Sequence, residues 1–397
     1  MKQDQRHGHT PATASRKVRR TLSVAAGLAL LTAAALPGCN AKDETAAATT
    51  SAPSYRPLGY VMLLDGTMGV VDMLTMQKVN EVKVGHSGIH QVAVVGGGRT
   101  VYTGNLDDQT LVKLQFSDDG KSVKQTVLGK SPVNLHMMTA SPDGRWIVVT
   151  SRMELADRMK APPSTLPNDS IAVIDTTSDK VVKVIALQSP AMATFPIDGK
   201  HMYVNNCHNG TVSVIDVATW SEVDRWNVSD KPLTKGADGF ERVSPDGIDV
   251  SPDGKWLATA DYEAGTITVW EVANKSNKRQ ISYNDGVRMP HDVRFTPDSK
   301  GLWVTDYDRI PAPADEVGNA TIKTHLRVYD VATLAINADK PMGRTAQRIS
   351  LPQYAKTGFL TTAIGSVLQL DRETLELQGE VALGELGRPV VCGMATY

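Results

Sequence analysis

Cysteine is scarce, with 3 in 397 residues. There is no CxxC, no CxxCH and no second cysteine near any histidine pair beyond Cys207-His208, which excludes a zinc ribbon, an iron–sulfur site and covalent haem attachment. Aromatic residues make up 5% and helical periodicity is almost missing. No Lys/Arg-rich tract follows the first twenty residues, and 42 basic against 43 acidic side chains leave a net charge of -1. The chain therefore has no electrostatic footprint for nucleic acid. At 41% hydrophobic it is too apolar for disorder and long enough for one or two globular domains.

Residues 1–38 read as an export signal. Lys2, Arg6, Arg16, Lys17, Arg19 and Arg20 form a basic start against the single acid Asp4, and residues 21–38 carry no charge. Leu36-Pro37-Gly38-Cys39 resembles the lipobox of bacterial lipoproteins, which implies cleavage and a lipid on Cys39. An uncleaved anchor and ordinary signal cleavage are the other readings. Arg19-Arg20 resembles a twin-arginine signal, so export through either the general or the folded-protein route stays open. Residues 39–57, small, polar and aperiodic, make a flexible tether. The expectation is an extracytoplasmic protein, on the periplasmic or cell-surface side, held to a bacterial membrane by its acyl group. Without the leader it has 36 basic and 42 acidic groups, so nothing favours membrane contact beyond that anchor.

A repeat occupies the rest, residues 58–397. Ser141-Pro142-Asp143-Gly144, Ser251-Pro252-Asp253-Gly254 and Thr296-Pro297-Asp298-Ser299 each precede a short apolar strand, and Gly96-Gly97-Gly98 and Ile197-Asp198-Gly199 are degenerate copies. Their centres are 46, 55, 55 and 45 residues apart, the length of a four-stranded sheet with its turns. A second signature, an alternating strand ending in an acid, recurs as GVVDM (69–73), IAVIDT (171–176), VSVIDV (212–217), ITVWEV (267–272), LRVYDV (326–331) and VLQLDR (367–372), with LVKLQ (111–115) as a seventh, degenerate copy. Seven units of short strands predict an all-β, seven-bladed β-propeller. The first unit lacks an inner strand, and the C-terminal GRPVVCGMATY is an inner strand with nothing after it, so the two ends are expected to complete one blade.

SPDGRWIVVTS followed by NDSIAVIDTTSDKVVKVIAL, and FPIDGKHMYVNNCHNGTVSVIDVATWSEV, resemble YVTN-type propeller repeats. The wider group that this resemblance implies includes the haem-d1 domains of cytochrome cd1-type nitrite reductases and their biogenesis relatives, lactonase-type propellers, and copper propellers of nitrous oxide and thiocyanate oxidoreductases. They share architecture and differ in chemistry.

Counting back five residues from each turn's serine position gives His90, His136, Ala191, Asp246 and His291, which propeller geometry places around one mouth of the axial channel. Arg388, at the start of the closing strand, is expected to join them. His86, Asn105, Arg152, Cys207, His208, Asp261, Tyr262, Asp306 and Tyr307 would form the rim. His90, His136 and His291 suit a transition metal such as copper, or an axial bond to haem iron, with Asp246 orienting and Arg388 holding an anion. The same histidines can instead bond a neighbouring blade's backbone. Two long hairpins, 152–168 and 307–324, would rise on that face as a lid or a protein-partner surface. Three functional readings follow. One is a propeller binding a haem-d1-like group or copper. Another is an enzyme, either a copper oxidoreductase or a lactonase-type hydrolase with His291 as base and Arg388 polarising a carbonyl. The third is an interaction scaffold without a small ligand.

Overall fold

The computed structural model describes residues 56–151, 170–207, 209–229, 245–262, 264–283, 288–308, 324–343, 346–353, 355–362, 365–383 and 390–396. All lie in one compact unit, Pro53–Tyr397. The leader, Cys39, the tether up to residue 55, Arg152, His208, Arg388, hairpin 152–168 and most of hairpin 307–324 (residues 309–323) fall outside the described residues.

Twenty-eight strands, β1 to β28 in chain order, form seven four-stranded antiparallel sheets, and no helix occurs among the described residues. The first strand of each sheet neighbours the first strand of the next. The order is β4 (Ala93–Val95), β8 (Met137–Ala140), β12 (Pro190–Thr194), β16 (Pro245–Val250), β20 (Arg288–Phe295), β24 (Ala346–Ser350) and β28 (Val390–Thr396), and β28 returns to β4. That closed ring makes the fold a seven-bladed β-propeller. Blade 1 is completed by both ends of the described chain, since β28 pairs with β1 (Leu58–Leu63) in the register Gly59↔Thr396, Tyr60↔Ala395 and Val61↔Met394. Blades 2 to 7 then follow in sequence.

The core lies between blades rather than within one. Val148, Ile171 and Val173 of blade 3 pack against Met202, Val204 and Ile215 of blade 4, and Val61 and Val71 of blade 1 pack against Phe359 and Val367 of blade 7. Middle strands are covered on both faces, so they read as nearly unbroken apolar runs. Outer strands such as Gln77–Lys83 are largely open to solvent, with Val82 as the buried residue there. Each fully buried valine or isoleucine contributes about 1.5–3 kcal/mol.

Both repeat signatures have a hydrogen-bonding cause. In Ser-Pro-Asp-Gly the serine hydroxyl donates to the aspartate (Ser141 Oγ to Asp143 Oδ1, 2.5 Å; Ser251 Oγ to Asp253 Oδ1, 2.7 Å), and the same oxygen accepts the amide that opens the next strand (Trp146 N, 2.9 Å; Trp256 N, 2.9 Å). Thr296 repeats this with Asp298 and Gly301. Gly144 and Gly254 take positive φ (68° and 71°), which the turn requires of its fourth residue. The acid closing the second signature caps the outer hairpin. Asp175 Oδ1 accepts from Thr177 N, Asp216 Oδ1 from Thr219 N and Asp330 Oδ1 from Thr333 N. The threonine hydroxyls hold these three carboxyls below their usual range. In blade 5 the acid is Glu271, one methylene longer. It accepts instead from Asn277 Nδ2 (2.7 Å), and the outer strand there takes a wider irregularity, from Trp270↔Lys278 to Glu271↔Asn274.

Candidate functional site

Three of the five positions found by counting back from the turns are β-bulges. The inner-strand register shifts between Pro190 and Met192, between Pro245 and Gly247, and between Pro290 and Asp292, so Ala191, Asp246 and His291 are the extra residues. Proline precedes each, opening the strand at 190 and 245 and sitting at the bulge inside it at 290, places where a missing ladder N–H is tolerated. The bulge re-aims the extra side chain, and its carbonyl is latched by the preceding blade. Ala191 O accepts from Thr150 Oγ1 (2.8 Å), Asp246 O from Asn205 Nδ2 (2.5 Å), and Gln347 O in blade 7 from Thr305 Oγ1 (2.8 Å). Gly247 lets blade 6 approach, because a Cβ there would lie 2.7 Å from His291 O and 2.9 Å from Asp292 Cα.

His136 and His291 share this latch. His136 Nδ1 lies 3.0 Å from Ala191 O and His291 Nδ1 lies 3.4 Å from Gln347 O. A carbonyl only accepts, so Nδ1 of His136 carries the proton when that ring is neutral, whereas His291 has an acceptor at each nitrogen, Gln347 O at Nδ1 and Asp246 Oδ2 at Nε2. The histidine-to-backbone bond weighed in the sequence is therefore real. From there the histidines divide. His90 adjoins His136, with ring centroids 4.8 Å apart at 42° and the His90 amide donating to His136 O (2.9 Å). His291 belongs to a separate charged cluster on blades 5 to 7. Its Nε2 lies 3.3 Å from Asp246 Oδ2, the oxygen that Arg348 Nη2 also meets at 3.3 Å. Arg348 Nη1 reaches Asp292 Oδ1 (3.5 Å), which Arg294 Nη1 approaches at 3.1 Å, while Asp292 Oδ2 accepts from Ile349 N (2.9 Å). Asp292, Asp246 and Arg348 are all buried, and the Tyr262 ring stands edge-on to His291 at 6.3 Å.

Among the described residues, no three His, Cys, Asp or Glu side chains come together to hold a metal ion. The backbone contacts of His136 and His291 engage Nδ1, which leaves Nε2 as the nitrogen a metal would take, and in His291 that atom lies beside Asp246. The rim residues mostly build loops. Asn105 Oδ1 accepts from the His86 and Ser87 amides, Asp261 Oδ1 accepts from Ala264 N, Cys207 is fully buried, and Asp306 pairs with the buried Arg327. Tyr307 has its backbone in the second strand of blade 6. Arg348, Asp292 and Arg294 are the residues of this cluster that the sequence reading missed.

Burial, then the nearby Arg348 charge, lowers the His291 pKa to about 4, with Asp246 partly opposing. The ring is thus neutral at neutral pH, set between Gln347 O at Nδ1 and Asp246 Oδ2 at Nε2. Asp249, which accepts from Phe295 N (2.8 Å), shifts the other way, to about 6, because burial outweighs the opposing Arg294 charge. The two shifts give pH slopes of opposite sign. Between about 4 and 6.5 the unfolded chain takes up a proton that folded His291 refuses, so its contribution is full above 6.5 and is lost as pH falls. Between 3.8 and about 6 folded Asp249 keeps a proton that the unfolded chain releases, so its contribution is lost as pH rises. On acidification from about pH 7 to about pH 5, the urea midpoint should therefore rise in His291→Gln and fall in Asp249→Asn. Parallel slopes in the two variants would contradict this assignment.

The comparisons agree on architecture. Residues 175–310, which include Asp246, His291 and Asp292, match the family model described as "Lactonase, 7-bladed beta-propeller". No curated protein matches the chain. Among solved structures, a functionally unknown protein from Desulfotomaculum acetoxidans DSM 771 is 14% identical with a TM-score of 0.63, covering 85% of this chain and 98% of its own. A candidate 6-phosphogluconolactonase from Bacteroides fragilis NCTC 9343 is 13% identical with a TM-score of 0.61, covering 87% and 99%. Hydrazine synthase from Kuenenia stuttgartiensis is 18% identical with a TM-score of 0.56, covering 77% and 88%. At these identities the structures share the fold, and the chain is a seven-bladed propeller whose residues 175–310 are similar to the lactonase type.

Proposed function

We propose that the protein is a lactonase-type hydrolase that opens a cyclic ester at the axial mouth, exported and held to a membrane through Cys39. The observation that carries this reading is the buried His291–Asp246–Arg348 constellation within a segment similar to the lactonase model. The acting tautomer is the one whose Nδ1–H faces Gln347 O, and Asp246, which Arg348 meets at 3.3 Å, would stabilise a proton arriving on His291 Nε2. In the proposed step, Nε2 takes a proton from water, the resulting hydroxide adds to the lactone carbonyl carbon, and Arg388 stabilises the oxyanion. The ring C–O bond then breaks, and the proton passes from Nε2 to the leaving alkoxide, giving a hydroxy acid. A base of pKa about 4 is fully in its accepting form at neutral pH yet weakly basic. It therefore suits a strained or activated ester rather than an amide.

The test is a panel of five- and six-membered lactones, with and without an anionic substituent, offered to the purified full chain and followed by acid release. Turnover above the uncatalysed rate for at least one ring class is the expected result. A folded protein inert toward the whole panel and isolated with stoichiometric copper or a Soret band would replace this reading with the cofactor-binding one. A folded, inert and colourless protein would favour the scaffold.

A further inference from the structure

We infer that the groove between blades 3 and 4, on the face opposite the bulged inner-strand ends, is a docking surface for an acidic peptide segment of a partner protein. Antiparallel strand order puts the inner turns and outer hairpins at the end of each blade away from Asp246 and His291. The groove there, about 820 Å3, is lined by Arg145 and Lys183 from blade 3 and by Lys200, His201 and Trp220 from blade 4, with Asp216 as its one carboxylate. Asp216 is already engaged as a hairpin cap, bonded to Thr219 N (2.8 Å) and Thr219 Oγ1 (2.6 Å). Three permanent cations in the lining against that one carboxylate leave a cationic surplus, with Arg145 Nη2 lying 3.9 Å from Asp175 Oδ2.

A sister groove on the same face, between blades 6 and 7, shows that this charge is not a property of the fold. It is lined by Asp298, Asp330, Asp371 and Glu373 against Lys300, Lys356 and Arg372, and it carries no aromatic wall. The blade 3–4 groove has a rigid indole floor, where Trp146 and Trp220 meet edge to face (5.6 Å, 84°) and Arg145 lies over the Trp146 ring (4.4 Å). Apolar side chains stand at its margin. Val182 in the lining is 50% exposed, and Ile197, at the tip of the turn that carries Gly199 and Lys200, is 68% exposed. Cations beside exposed aliphatic side chains match a ligand that alternates carboxylates with apolar groups, and the volume suits a few residues. Addition of a strand is not the mode, because the outer strand Lys180–Ala186 is bulged at Val182 between Val173↔Lys183 and Ile174↔Val181, which spoils its free edge for pairing.

The test is fluorescence anisotropy of a labelled peptide of alternating glutamate and leucine, added to the full chain. A lysine–leucine peptide and inorganic phosphate serve as comparison probes. The Lys183→Glu/Lys200→Glu variant reverses two exposed charges without touching the indole floor. Expected are saturable binding of the acidic peptide, weakening of about tenfold or more in the variant, and further weakening as salt rises from about 0.05 to about 0.5 M. The thermal midpoint of the variant should stay at that of the wild type. Equal affinity in the variant, equal binding of the lysine–leucine peptide, or no binding at all would overturn the proposal. Displacement by phosphate as effective as by unlabelled peptide would also overturn it, reducing the groove to a general anion spot. The readout is independent of lactone hydrolysis, so either reading can fail alone.

Discussion

His291→Gln is expected to lower kcat for lactone opening by roughly 10²- to 10⁴-fold while changing KM little, the signature of a lost proton acceptor rather than lost binding. Glutamine is chosen because its amide can still donate to Gln347 O, which His291 Nδ1 now meets at 3.4 Å, so the blade 6–7 latch survives while the Nε2 lone pair disappears. His136→Gln is the internal comparison. It removes an imidazole with the same kind of latch, to Ala191 O, but its ring neighbour is His90 rather than Asp246. A few-fold effect at most is expected there. Comparable losses in the two variants would point back to a shared histidine-bound group. The wild-type pH–rate profile gives a second check. With His291 lowered to about 4, the acid limb should lie near that value rather than near 6.5.

Arg348→Met should be the most destabilising single change in the cluster, costing about 3–5 kcal/mol as measured by urea unfolding. The guanidinium is almost wholly buried and meets Asp246 and Asp292 on two different blades. Without it Asp292, fully buried, keeps only Arg294 at 3.1 Å and the Ile349 amide at 2.9 Å. Asp246 would lose the guanidinium that meets its Oδ2 at 3.3 Å. Neutralising a carboxylate along with the arginine, in Arg348→Met/Asp246→Asn, should recover part of the loss, because what costs most is the stranded buried charge rather than the missing contact. If the double variant were no more stable than the single one, the cluster would owe its stability to packing instead.

Most of the fold was legible because its turns are chemically specific. Ser-Pro-Asp-Gly and the strand-ending aspartate each satisfy a fixed set of hydrogen bonds, so they recur wherever the geometry recurs, and their spacing reports the blade length. The closing of blade 1 was legible from what each chain end lacked. The same letters do not always mean a turn, however. Pro245-Asp246-Gly247 repeats the spelling of Pro252-Asp253-Gly254 yet opens an inner strand, because Gly247 lies against the backbone of blade 6. Within the site, counting from the turns reached Ala191, Asp246 and His291 and failed at Arg348. Blade 7 has no Ser-Pro-Asp-Gly to count from, and its irregularity falls deeper in the strand, between Ala346 and Ile349. A proline one residue before each bulge, at 190, 245 and 290, was a signal available for the first three. No residue spacing could show that His90 and His136 keep to each other while His291 turns to a carboxylate.

The pairing of β1 with β28 also governs when the molecule can exist during its synthesis. Gly59 emerges from the ribosome more than 300 residues before its partner Thr396. Blades 2 to 7 are each contiguous in the chain and can form one after another, but the ring cannot shut until β28 has been made. Until then β1 presents an unpaired edge and blade 7 has no neighbour on one side. A chain crossing a membrane before that moment would travel as an open string of blades, and one crossing after it would travel as a finished disc.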